Sequence, residues 1–124
     1  MSIELMTMRV LAVCEKNIDC ELLREGAVLA SLPLELVAAD SAQKASVALS
    51  ERRTDLVLVD GALSGPDRVK IAEAARGADS PAFVVLLSED PADRSVTASC
   101  ADAMAAKPRD AGAARVMIDG CVQS

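Results

Sequence analysis

One stretch constrains this chain more than any other: Asp55-Leu-Val-Leu-Val-Asp60. Four apolar residues in succession, rather than in alternation, describe a strand buried on both faces. That is the condition of a central strand in a parallel sheet. Parallel neighbours must be joined by crossover segments, usually helices, and the crossovers are right-handed. The flanking sequence should therefore alternate between short β-branched runs and helical patterns.

It does so throughout. Arg9 to Cys14 reads as the first strand. Asn17 and Asp19 are N-cap candidates for a helix that places Leu23, Ala27 and Ala30 on one face. Gly26 lowers the propensity of that helix without breaking its pattern, and Pro33 marks its end. Leu34 to Ala39 is the second strand. Ser41 caps a helix with Ala42, Ala45, Ala48 and Leu49 inward, closed by Arg52 and Arg53 where the dipole favours cations. After Asp60, a loop from Gly61 to Pro66 leads into a helix through Val69, Ile71, Ala72 and Ala75. Ala82 to Leu87 is the fourth strand. Asp90-Pro91 opens a fourth predicted helix, through Ala92, Val96 and Cys100, weakened by Ser95, Thr97 and Ser99. Asp102 to Ala106 is a strand by context. Asp110 caps a last helix with Ala113, Ala114, Met117, Ile118 and Cys121 inward.

Five β–α units predict an α/β fold: a flavodoxin-like, doubly wound, five-stranded parallel sheet of order 2-1-3-4-5 with helices on both faces. The 124 residues suffice for one such domain, and 52% apolar residues suffice for its core. Residues 1–8 read as an N-terminal extension and 9–124 as the domain. The composition also excludes several functions. With no His there is no Ser–His–Asp triad and no imidazole ligand. A net charge of -6 argues against direct nucleic-acid binding, and one Phe with no Trp or Tyr argues against base or flavin stacking. Cys14, Cys20, Cys100 and Cys121 lack Cys-x-x-Cys spacing, so they read as reduced, buried hydrophobes rather than zinc ligands. No signal peptide and no membrane-length apolar run is present, which predicts a cytoplasmic protein with no membrane partner.

Ligands of such sheets bind beyond the carboxyl ends of the strands. Those ends carry Cys14-Glu15, Asp60, Ser88-Glu89 and Lys107-Pro108. Singly, each is an ordinary turn or cap residue. Together they bring carboxylates, a hydroxyl and an ammonium to one edge. Clustered carboxylates attract a hard divalent ion, and a carboxylate beside one can attack a phosphoryl group.

On these residues the chain resembles the response-regulator receiver domains (CheY-like), from Arg9 to about Val122. The resemblance implies that Asp60 is phosphorylated by a histidine kinase or phosphotransfer protein. It implies that Glu15, Asp60 and the Ala62 carbonyl bind Mg²⁺, that Ser88 is the hydroxyl switch and that Lys107 holds the phosphoryl group. It also implies a cis Lys107-Pro108 bond, and an output or self-dimer face built from the fourth helix, fifth strand and fifth helix. Such a protein is a phosphoacceptor, not an enzyme beyond Mg²⁺-dependent self-phosphorylation and self-dephosphorylation. The sequence departs from the family pattern at Cys14, where an acid is usual and whose thiol would weaken Mg²⁺ binding. Glu15 replaces Asp, and Ser64 and Arg68 stand where Pro and Gly are usual. Met104 takes the place of a switch aromatic. The expected function is a stand-alone response regulator acting by protein–protein contact. The alternative is a pseudo-receiver interaction module that is never phosphorylated. A flavin carrier and a thiol sensor at Cys14 are lesser readings.

Overall fold

The computed structural model describes residues 8–30, 33–77, 81–89 and 101–123. In order these form β1 (Met8–Val13), α1 (Asn17–Leu29), β2 (Leu34–Ala39), α2 (Ala42–Glu51), β3 (Leu56–Asp60), α3 (Gly65–Arg76), β4 (Phe83–Ser88), β5 (Ala103–Ala106) and α4 (Ala111–Gln123). The fourth predicted helix, 90–100, lies outside the described residues. All pairings are parallel and the order is β2-β1-β3-β4-β5, as the sequence predicts.

The pleat divides the apolar residues into two cores. Leu11, Val13, Val57, Val59, Val84 and Leu86 face one way, onto Ala45, Leu49, Ile71 and Ala75 of α2 and α3. Val10, Ala12, Leu56, Leu58, Val85 and Leu87 face the other, onto Leu23, Ala27, Ala114 and Ile118 of α1 and α4. Every residue of β3 is buried, which is why its sequence shows no alternation. The two helices on the second face approach very closely at Gly26. A Cβ added there would stand 2.5 Å from the Ala114 Cβ and 2.8 Å from the Arg115 backbone nitrogen. The residue that weakens α1 as a helix is the one that lets α1 reach α4.

Several local expectations change. β1 begins one residue early, at Met8, whose N–H donates to the Pro33 carbonyl. The N-cap of α1 is Lys16, with no side-chain cap, rather than Asn17 or Asp19. Asn17 instead donates to Glu21, and Asp19 is drawn into a tertiary ion pair. The helix ends at Leu29, ahead of Pro33. Val69 and Ala113 are exposed, because they flank the stripes set by Ile71, Ala72 and Ala75 and by Ala114 and Ile118. The caps at Ser41 and Asp110 form as predicted, at 3.2 Å to Lys44 N–H and 2.7 Å to Ala113 N–H. Ser64, inside the predicted Gly61–Pro66 loop, caps α3 by accepting from Asp67 N–H.

Candidate functional site

The switch point of the sheet falls between β1 and β3, where the chain departs to opposite faces. Asp60 ends β3 there, and only 1% of its surface is exposed. An ionised carboxylate at that depth needs partners on both oxygens. Oδ1 accepts from Ala62 N–H at 2.9 Å and from Lys107 Nζ at 3.0 Å, and Oδ2 accepts from Glu15 N–H at 3.1 Å. Glu15 and Ala62 thus serve Asp60 through their backbones, while the Glu15 side chain is exposed.

The turn after Asp60 is held against β4. Gly61 N–H donates to the Leu87 carbonyl at 2.7 Å, and a Cβ on Gly61 would lie 2.6 Å from that same oxygen. Glycine is therefore required by close approach to the neighbouring strand, and the turn that aims Ala62 N–H at Asp60 depends on it. Ser88, buried at the end of β4, accepts from Lys107 N–H through its carbonyl at 2.8 Å. This anchors the residue from which the Lys107 side chain reaches across to β3. The Lys107-Pro108 bond is trans, not cis as the resemblance implies. The trans isomer is the one an X–Pro bond favours intrinsically, and Lys107 reaches Asp60 from it.

A fourth participant escaped the sequence reading. Asp19, in the first turn of α1, places Oδ2 at 3.1 Å from Lys107 Nζ. One ammonium thus bridges two carboxylates, in side chains that are 16% (Lys107), 20% (Asp19) and 1% (Asp60) exposed. Burial alone would lower the Lys107 pKa; the bonds to Asp60 and then Asp19 outweigh it and hold it above the ordinary value. The available signal was that α1 follows β1 directly, so its first turn must lie at the carboxyl edge of the sheet.

Cys14 also lines the site. It shares a cavity of about 10 Å³ with Asp19, Asp60 and Lys107. That is room for about one water and not for a hydrated ion. Magnesium demands several oxygens in near-octahedral array. Here the oxygens of Asp60 are taken by N–H groups and Lys107, Asp19 is paired with Lys107, and Cys14 offers sulfur. Among the described residues no cluster of three or more acidic, Cys or His side chains is placed to hold a metal. The residues as arranged do not fit Mg²⁺. Beside this small cavity an open cleft of about 420 Å³ is lined by Lys16, Asp19, Glu89, Lys107 and Arg109, among others.

No protein-family model and no curated protein matches the sequence significantly. Solved structures do match in shape. A response regulator from Thermotoga maritima superposes with a TM-score of 0.78 at 20% identity, covering 96% of this chain and 100% of that one. The phosphorylated cyanobacterial phytochrome response regulator RcpA gives 0.72 at 18%, covering 95% and 93%. The receiver domain of a sensor histidine kinase from Pseudomonas aeruginosa, with magnesium in its active-site cleft, gives 0.75 at 14%, covering 96% and 100%. The chain has the CheY-like receiver fold over nearly its whole length.

Proposed function

We propose that this chain is a receiver-type signalling module of a two-component system, and that Asp60 is its phosphoacceptor. The observation that carries the reading is the Asp60–Lys107 contact at the switch point of a receiver sheet. Asp60 Oδ2 holds one backbone N–H, against two donors on Oδ1, and is the oxygen freer to attack. In transfer from a phosphohistidine, the Asp60 Oδ2–P bond forms as the N–P bond breaks, and the departing imidazole takes up a proton. Lys107 then swings its charge onto the phosphoryl oxygens, where a preorganised cation stabilises the developing negative charge. Ser88, on the adjoining strand end, supplies a hydroxyl on the same edge.

The donor is a histidine kinase or phosphotransfer protein, and the output is contact with another protein. The proposed output face joins β5, an edge strand, to α4. Met104 lies half-buried against the α2–α3 core, so output does not use a swinging ring. Among the described residues no helix is long and apolar enough to cross a membrane.

The test is incubation of the full chain with acetyl phosphate, and separately with a phosphorylated phosphotransfer protein, followed by intact mass. A gain of about 80 Da, lost in Asp60→Asn, supports the reading. No gain under either donor overturns it.

One observation favours a second reading. Asp60 is nearly sealed, and each of its oxygens already has a donor. A chain that keeps this state permanently is an unphosphorylated interaction module. It would gain no phosphoryl mass, and its partner affinity would be the same in Asp60→Asn.

A further inference from the structure

The charges at the Asp60 site are laid out around one side-chain atom. Lys107 Nζ stands 3.0 Å from Asp60 Oδ1 and 3.1 Å from Asp19 Oδ2. These contacts come from different elements, the end of β3 and the first turn of α1, while Lys107 itself follows β5. A lysine stem is long and flexible, so a single contact fixes its ammonium poorly. Two contacts from separate elements hold it in one place. The positions on the other side of Asp60 offer little to a metal. Cys14 brings a buried sulfur to the site. Glu15 leaves its side chain in solvent and gives Asp60 its backbone N–H.

We infer that Lys107, positioned by Asp19, is the resident cation of this site in place of a divalent ion, so that Asp60 accepts a phosphoryl group without metal. The inference rests on Asp60 being the phosphoacceptor. Three features support it. A magnesium ion demands oxygens in near-octahedral array. Here Asp60 Oδ1 is shared by the Ala62 N–H and the ammonium, and Oδ2 accepts from Glu15 N–H. Cys14 supplies sulfur, which does not suit a hard ion. To bind at Asp60, an ion would have to expel the ammonium from between two carboxylates, and parting a largely buried pair leaves charge uncompensated.

The transfer balances without a metal. With acetyl phosphate as donor, the Asp60 Oδ2–P bond forms as the bond from phosphorus to the acetyl oxygen breaks. Acetate leaves as an anion, so no proton moves. The phosphoryl oxygens then need a cation. As the group arrives, Lys107 turns from Asp60 Oδ1 to a phosphoryl oxygen and keeps Asp19 as its other partner, which its several N–H donors allow. A cation held ready in this way needs no reorganisation at the moment of transfer. Asp19 acts through Lys107 and is a positioning residue. The open cleft lined by Lys16, Asp19, Lys107 and Arg109 gives the donor its approach.

The full wild-type chain is tested first, in two ways. Uptake from acetyl phosphate, followed as the gain of about 80 Da, is timed in EDTA and in about 10 mM Mg²⁺ at matched ionic strength. Thermal unfolding of the unphosphorylated chain is measured in the same Mg²⁺ against NaCl. The uptake rates are expected to agree within about twofold and the unfolding midpoint to stay in place, whereas filling a site of about millimolar Kd would shift the folding equilibrium about tenfold. Asp19→Asn should slow uptake about tenfold, and Asp19→Glu should recover much of that rate, a rescue that a merely weakened fold would not show. Uptake slower by about tenfold or more in EDTA overturns the inference and leaves Asp60 as phosphoacceptor. A midpoint raised by Mg²⁺ beyond the NaCl control overturns it as well, and Asp19→Asn reacting as fast as wild type overturns the role of Asp19. No mass gain in either medium overturns the reading of Asp60 and metal-free uptake with it. The wild-type measurements decide the matter even where a variant folds poorly.

Discussion

Asp19 and Lys107, 88 positions apart in sequence, form an ion pair of 3.1 Å that ties the first turn of α1 to the end of β5. The same ammonium holds Asp60 at 3.0 Å. Asp19 therefore competes with Asp60 for Lys107. Replacing it by an isosteric neutral residue releases Lys107 toward Asp60 alone. Asp19→Asn is expected to lose about 1–2 kcal/mol of stability, the scale of a charge-assisted hydrogen bond in a partly buried setting. Urea unfolding of the two proteins measures it. A change under 0.3 kcal/mol, or about that, would place the pair among ordinary surface contacts.

The elevated Lys107 pKa carries a sign. A lysine whose folded pKa exceeds its ordinary 10.5 contributes stability that is complete below that value. The contribution is lost as pH rises through the folded pKa. The difference in stability between wild type and Lys107→Met should be flat from pH 7 to 10 and shrink at higher pH. A difference that stays constant through that alkaline range contradicts the linkage.

Gly26 tests the packing of the two helices on the second face. By helix propensity alone, Gly26→Ala stabilises by roughly 1 kcal/mol. The added methyl, however, meets the Ala114 Cβ and the Arg115 backbone, which cannot move aside as a flexible side chain does. Overpacking of this kind costs about 1–3 kcal/mol. The variant should be less stable than wild type in thermal or urea unfolding. Pairing it with Ala114→Gly should recover part of the loss, because the space is then restored.

Cys14 sits with Asp19, Asp60 and Lys107 around the small cavity, so Cys14→Asp adds a third carboxylate to one ammonium. Like charges at that spacing repel unless a cation joins them. Without added metal, the variant is expected to lose about 1–3 kcal/mol. Millimolar Mg²⁺ should restore much of that in the variant and leave the wild-type unfolding midpoint in place. Equal Mg²⁺ responses in the two proteins would separate Cys14 from any metal-binding position.

The sheet was legible because burial on both faces removes polar residues from a strand, and the run from Leu56 to Val59 shows that without any structure. Parallel pairing, right-handed crossovers and the count of β–α units then leave few topologies, and strand order 2-1-3-4-5 is the one adopted. Asp60, Ser88 and Lys107 were legible for the same reason. They end strands, and strand ends of a parallel sheet meet along one edge.

What the one-dimensional pattern could not supply was the choice of partner. Asp19 has the composition of a helix cap, and local chemistry assigns it there. In the folded chain a half-buried ammonium stands within reach, and the Asp19 carboxylate pairs with it while the start of α1 has no side-chain cap. Gly26 reads as a weakness of α1 until α4 is seen against it. Apolar periodicity is written along each segment, because burial acts on every residue of an element in the same way. Which charge meets which depends on distances between segments far apart in the chain, and only the tertiary packing decides those.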